Sequence, residues 1–171
     1  MPIPRLIVVV LVLATACGGD ADAGPAPGDY FAQLERVIET AHIQERGLRR
    51  DLRLRLEDPP PGETRKTVLK VYVDQRARLY QDVLDALGDM DPPDEVAAAQ
   101  QAFLEAWRSQ LDLIATVRDA GFPSSEEITK ALEASAFRDA AAETEARCED
   151  LQAAVAAAGS DVDLVCDGGP S

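Results

Sequence analysis

The chain has one histidine, His42, which stands three residues after Glu39 in the spacing Glu-x-x-His. On a helix, this spacing places a carboxylate and an imidazole on one face, as metal sites inside helical bundles require. Such a site needs a second pair of this kind, and the chain has no second histidine. The sequence therefore predicts a flanking or surface histidine and no bound cofactor. The alternative is a metal-binding protein in which His42 acts together with acidic residues.

The patterns that carry nucleophilic catalysis are missing from the sequence. No Gly-x-Ser-x-Gly occurs, and a single histidine leaves little room for a catalytic triad. No glycine-rich phosphate loop follows a strand, because no convincing strand precedes one. We therefore expect a protein without catalytic activity.

Two of the three cysteines, Cys148 and Cys166, are placed for a disulfide bond. A helix advances ~15 Å from Cys148 to Ala158, and residues 160–166 return up to ~20 Å when they are extended. The tail can therefore fold back along the last helix and bring the two cysteines together. Closing this loop stabilises the fold by ~3 kcal/mol in the chain-entropy model. A redox pair or a metal site is the alternative, although the spacing is not CxxC and no histidine lies near.

Basic residues are concentrated in one region of a chain whose net charge is −14. They close the first predicted helical segment and open the second, so an up-down bundle places them at one turn, far from the N-terminus. The candidate binding residues of this basic tip are Arg46, Arg49, Arg50, Arg53, Arg65 and Lys66. Arginine recognises phosphate and carboxylate groups through planar, bidentate contacts, which predicts an anionic partner, either an acidic protein face or a polyanionic glycan. The alternative is a solvated surface, partly neutralised by pairs such as Glu45–Arg49 and Asp51–Arg55.

Three polar residues fall at or near the apolar stripes of the predicted helices: Glu45, Gln75 and Gln110. Buried polar side chains of this kind can fix the register of helices or line a small binding site. A contiguous cavity lined by all three would favour a small-ligand-binding or sensory module, and without it we favour the role in register.

The elements that position these residues are four amphipathic segments of similar length. Proline-containing breaks at 58–62, 91–93 and 121–124 separate them, and apolar residues recur at steps of three and four within each. We predict helix starts at Asp29, at Asp91 with Pro92 and at the capping box Ser124-x-x-Glu127. Gly121 and Gly159 are the predicted ends of the last two segments.

Four such helices with short connections predict an all-α fold, an up-down-up-down antiparallel four-helix bundle with a disulfide-pinned C-terminal tail. Two long hairpins that pair only in a dimer are the alternative. The composition agrees, since aromatic residues make up only 5% of the 171 residues and the apolar share of 46% is carried mostly by alanine and leucine. A net charge of −14 argues against nucleic acid as a partner.

The N-terminus has the pattern of a targeting segment. Arg5 precedes an unbroken apolar run from Leu6 to Ala14, which is too short to span a bilayer. The residues Leu-Ala-Thr-Ala directly precede Cys17. This pattern resembles the lipobox of bacterial lipoproteins, although Ala14 stands where that family most often has leucine. The resemblance implies cleavage before Cys17 and attachment of lipid to its thiol. An ordinary secretory leader cut after Ala16 is the alternative.

The sequence thus predicts three parts: a signal peptide over 1–16, a lipidated cysteine and flexible tether over 17–28, and a bundle over 29–171. The lipid would hold the protein to a bacterial membrane, on its extracytoplasmic side. The expected role is structural or binding, through an anionic partner in the cell envelope.

Overall fold

The computed structural model describes residues 27–166 of the chain, and this range is helical with no strand. The helices are α1 (Pro27–Glu57), α2 (Arg65–Gly88), α3 (Asp94–Asp119), α4 (Ser125–Leu132) and α5 (Ser135–Ala157). The predicted signal peptide, Cys17 and most of the predicted tether lie outside the described residues. Among residues 27–166, no helix is long and apolar enough to cross a membrane.

The four long helices pack in chain order and alternate in direction. Helix α1 packs against α2, α2 against α3, and α3 against α5. One apolar core joins them, and its most deeply buried side chains include Leu34, Leu87, Phe103, Ile114 and Leu151. Because each helix contributes an apolar stripe of period 3.6, burial of that stripe holds the helices together. The predicted all-α antiparallel bundle is confirmed.

The last predicted segment is divided into two helices, which the sequence analysis did not anticipate. Ala134 is extended (φ −59°, ψ 149°) between α4 and α5. The surrounding residues include neither proline nor glycine, so local sequence does not impose this break. Instead, α4 packs across α2 and α3 and buries Ile128, whereas α5 runs along α3. Tertiary packing outweighs the helix propensity of the junction.

The helix boundaries follow the predicted signals in part. Ser124 accepts a hydrogen bond from the Glu127 backbone N–H at 3.2 Å, which confirms that half of the capping box. Gly121 and Gly159 have φ values of +61° and +83°, which suits residues that end helices.

Two predicted helix starts were wrong. Asp29 lies within α1 (Pro27–Glu57) and does not cap it, and α3 begins three residues after Asp91. Proline explains the second difference, because Pro93 holds the extended cap position before α3.

The C-terminal tail returns along α5, as predicted. Cys148 and Cys166 form a disulfide bond with their Cα atoms 5.4 Å apart. The Gln152 side chain binds the tail backbone twice, donating to the Val162 carbonyl at 2.9 Å and accepting from the Leu164 N–H at 2.6 Å. Leu164 is buried in the core. The tail is therefore held by a covalent bond, an amide clamp and one apolar anchor.

Candidate functional site: a basic face on the first helix

The end of α1 and the start of α2 lie together at one pole of the bundle, with the loop that follows α3. Lys66 links two of these segments, because its Nζ donates a hydrogen bond to the Pro123 carbonyl at 2.9 Å. The antiparallel packing of α1 on α2 thus brings the predicted basic tip to a single place.

Three arginines of the tip share one face of α1: Arg46, Arg50 and Arg53. They are spaced at i, i+4 and i+7, so their side chains leave the helix in similar directions. All three are exposed, and none has an ion pair within 4.0 Å among the described residues. We call these three residues the arginine patch. Its charges are available to an anion from outside.

Two other arginines of α1 are already paired. Arg49 Nε lies 3.1 Å from Glu45 Oε1, and Arg55 contacts both Glu63 and Asp51, the latter at 3.6 Å. The two i, i+4 pairs named from the sequence are therefore both formed. Arg49 belongs to the support of the site rather than to its free surface, although it was among the candidate binding residues.

The two candidates on α2 also differ from each other. Arg65 is exposed at the first position of the helix. Lys66 is half-buried, and its ammonium group is hydrogen-bonded to the Pro123 carbonyl. The arginine patch is thus the part of the predicted tip that stands clear of internal partners, with Arg65 at its edge.

Two apolar side chains extend the patch, and the sequence analysis missed them. Ile43 is 55% exposed and Leu54 is 56% exposed, and no other large apolar residue of the described chain is so accessible. They are eleven positions apart, which is about three helical turns, so they lie on the same side of α1. Their position off the core stripe of α1 was the signal in the sequence. The face combines three free cations with two exposed apolar groups.

A layer of buried polar residues supports α1 behind this face. Glu45 is only 13% exposed and its Oε1 lies 3.0 Å from Arg76 Nε on α2. The N–H of that nitrogen is not directed at the carboxylate, so the contact is an ion pair and not a hydrogen bond. Burial raises the cost of separating such a pair, because either charge left alone would be poorly solvated.

The same layer continues across the other helices. Arg76 donates to the Tyr80 hydroxyl at 2.8 Å, Tyr80 donates to Gln110 Oε1 at 3.2 Å, and Gln110 donates to Thr144 at 2.6 Å. Burial raises the pKa of Tyr80 to about 12, so its hydroxyl keeps the proton that it donates. Burial acts to lower the pKa of Arg76, but Tyr80 and Glu45 outweigh it and keep the pKa above the ordinary value.

The three polar residues named for a small-ligand site lie in different surroundings. Gln75 is exposed, whereas Glu45 and Gln110 lie in the polar layer, so the three do not share a cavity. The two surface cavities on α2 and α3 are lined by other residues. Residues 27–166 contain no group of three or more histidine, cysteine, aspartate or glutamate side chains arranged to hold a metal ion.

The fold and this face define a class of protein: a helical bundle with a disulfide-pinned tail and a cationic outer helix face. No family model, curated protein or solved structure matches the chain.

Proposed function

We propose that the protein is a non-catalytic binding module of the bacterial cell envelope and that the arginine patch docks an acidic protein surface. The observation that carries the proposal is the pairing pattern on α1. Arg49 and Arg55 have carboxylate partners within the fold, while Arg46, Arg50 and Arg53 have none among the described residues. Free, aligned guanidinium groups are suited to bidentate contacts with carboxylates.

Ile43 and Leu54 favour a protein over a glycan as the partner. Protein interfaces combine arginine with apolar anchors, whereas a polyanionic glycan offers little apolar surface to match two exposed aliphatic side chains. Because Ile43 and Leu54 lie beside the patch, an acidic face with an apolar centre complements it in both charge and character.

Attachment to a membrane through Cys17 belongs to the same proposal. The lipobox-like run before Cys17 and the small, Gly/Pro-rich segment after it support a lipid anchor followed by a flexible tether. Intact mass of membrane-extracted protein tests this, with an acyl adduct on Cys17 as the expected result. Recovery of Cys17→Ser in the membrane fraction at the wild-type level would overturn it.

Docking is tested by comparing partner recovery from envelope extracts by three full-length proteins. They are the wild type, the patch variant Arg46→Gln/Arg50→Gln/Arg53→Gln, and a control, Arg36→Gln/Arg108→Gln/Arg138→Gln, which removes the same number of exposed arginines elsewhere. We expect the patch variant alone to lose a protease-sensitive partner, and the wild type to lose it as salt rises. Equal recovery by the patch variant and the control would contradict the proposal. If the partner resists protease but is lost on glycosidase treatment, the partner is a glycan and not a protein.

A further inference from the structure

A groove runs along the outer side of α2 and α3, and α4 covers one end of it. Under α4 lies a cavity of about 200 Å³, lined by Lys70, Val73, Asp74, Val117, Arg118, Phe122 and Ile128. A second cavity of about 340 Å³ adjoins it and is lined by Asp74, Ala77, Arg78, Gln81, Leu111 and Arg118. Asp74 and Arg118 border both cavities, and we call the two neighbouring cavities together the groove.

The break between α4 and α5 creates the covered end of this groove. A single straight helix over 124–158 would run along α3 throughout, but the extended Ala134 turns α4 across α2 and α3 instead. Ile128 and Phe122 then line the covered end of the groove, where α4 meets α2 and α3. Natural chains depart from local sequence preference most often where function or strain requires it.

The floor of the groove is apolar and its rim is charged. Val73, Val117 and Ile128 are buried core residues, so the bottom of the covered cavity is fixed by packing. Lys70 and Arg78 are exposed at the rim, and neither has an ion pair among the described residues.

The rim carries an excess of positive charge. Lys70, Arg78 and Arg118 line the groove with one acidic residue, Asp74. Arg118 is paired with its neighbour Asp119, with Arg118 Nε 2.8 Å from Asp119 Oδ1, so the excess comes from Lys70 and Arg78. In a chain with a net charge of −14, this positive rim above an apolar floor is complementary to an anion that carries an apolar body.

We propose that this groove binds a small amphipathic anion, with its apolar chain under α4 and its carboxylate or phosphate group at the rim, attracted by the charges of Lys70 and Arg78. At about 200 Å³ the covered cavity is larger than the site of a single water molecule and can accept a short alkyl chain. This site is separate from the arginine patch, so it stands or falls independently of the proposed docking function.

The test is a titration of the full-length protein followed by two-dimensional NMR, with octanoate and octylammonium as matched probes. Both carry the same chain and differ in the sign of the head group. We expect octanoate to shift the signals of Phe122, Ile128 and Val117, with the weak affinity that a ligand of this size gives. Octylammonium is expected to bind about tenfold more weakly, because it meets Lys70 and Arg78 with like charge.

Charge variants at the rim give the proposal a signed prediction. Lys70→Gln/Arg78→Gln should weaken octanoate binding by about fivefold, and Asp74→Asn should strengthen it by about threefold, as expected for exposed charge pairs. The control Arg36→Gln/Arg108→Gln removes two cations outside the groove and should leave binding unchanged.

Three outcomes would overturn the proposal. They are equal binding of the two probes, chemical shifts confined to residues outside the groove, or the reverse order of the rim variants. The arginine-patch variant should bind octanoate like the wild type, so failure of one proposal leaves the other intact.

Discussion

The two halves of α1 are built in opposite ways. The first half, residues 29–41, buries Tyr30, Phe31, Leu34, Ile38 and Ala41 in the core. The second half, residues 42–57, has no fully buried side chain, and its core-facing leucines are only half-buried. It is held by the polar contacts of Glu45 and Arg55 instead. One half anchors the helix, and the other presents charge to the outside.

The C-terminal tail shows that an incompletely packed segment can be fixed when the fold requires it. It has no regular structure, yet the disulfide to Cys148, the Gln152 clamp and Leu164 hold it against α5. The second half of α1 has no such lock. The second half of α1 is exposed because its apolar residues are divided between the core side and the outer side of the helix.

The largest effect should come from a cavity in the first half. Leu34 is completely buried, so Leu34→Ala is expected to lower the free energy of unfolding by about 3 kcal/mol, through lost burial and the void that remains. Leu52→Ala, in the second half, should cost about 1 kcal/mol because that side chain is half-buried. Denaturant unfolding measures both. Equal losses would show that the halves are packed alike.

Removing the disulfide should affect the tail and leave the second half of α1 unchanged. Cys148→Ser/Cys166→Ser is expected to lower the free energy of unfolding by about 3 kcal/mol, because the unfolded chain is no longer constrained. Hydrogen exchange should accelerate after Gly159, while amides 42–57 exchange as before. Faster exchange in that half of α1 would mean that the tail supports it.

High pH should loosen the first half through Tyr30. Burial raises the pKa of Tyr30 to about 12, while an unfolded tyrosine ionises near 10. Between these values the unfolded state loses its proton first, so stability is complete below pH ~10 and falls as pH rises towards ~12. For this group the loss is about 2 kcal/mol.

The control for this pH effect is Tyr30→Phe, which lacks the ionisable hydroxyl and its hydrogen bond to Gln100. The variant should start less stable and lose less as pH rises from 10 to 12. A pH slope equal to that of the wild type would show that Tyr30 does not contribute.

The polar support of the second half can be broken at Glu45. Glu45→Gln should lower the free energy of unfolding by about 2 kcal/mol, since it leaves the buried Arg76 guanidinium without its carboxylate. Arg49→Gln removes a more exposed partner of the same carboxylate and should cost under about 1 kcal/mol. Urea unfolding of the two variants gives the comparison directly. Equal losses would show that the contact of Glu45 with Arg76 adds nothing to its contact with Arg49.

Much of the fold could be predicted from the sequence because the relevant signals are local. Apolar periodicity gave the four long helical segments, and helix and tail lengths gave the contact between Cys148 and Cys166. The break at Ala134 could not be predicted, because packing of α4 on two other helices decides it. The groove beneath α4 was hidden for the same reason.

The position of the basic tip was predicted from the sequence, but not which of its charged residues have partners inside the fold. Sequence spacing indicated the Glu45–Arg49 and Asp51–Arg55 pairs, yet only the packing of α2 shows that Glu45 also meets Arg76. Gln75 was placed near a stripe and is exposed, because a helix stripe is narrower than the spread of steps of three and four. Three-dimensional neighbours decide which charges remain free.

The smallest expected effect is a gain in stability, at Gly47 in the second half of α1. A Cβ added at this position would meet nothing within 4 Å, so the glycine is not required for close packing. Gly47→Ala should therefore raise the free energy of unfolding by about 0.5–1 kcal/mol, by reducing the freedom of the unfolded chain and favouring the helix.

Amide exchange along α1 tests its division into two halves. The free energy of opening should be lower at residues 42–57 than at 29–41, because the first half opens only with global unfolding, and Gly47→Ala should raise both. The arginine patch lies within the stabilised half, so a better-ordered helix should bind an acidic partner as well as the wild type or slightly better. Equal free energies of opening along the whole of α1 would show that the helix opens as one unit, and the separation into an anchoring half and a presenting half would then fail.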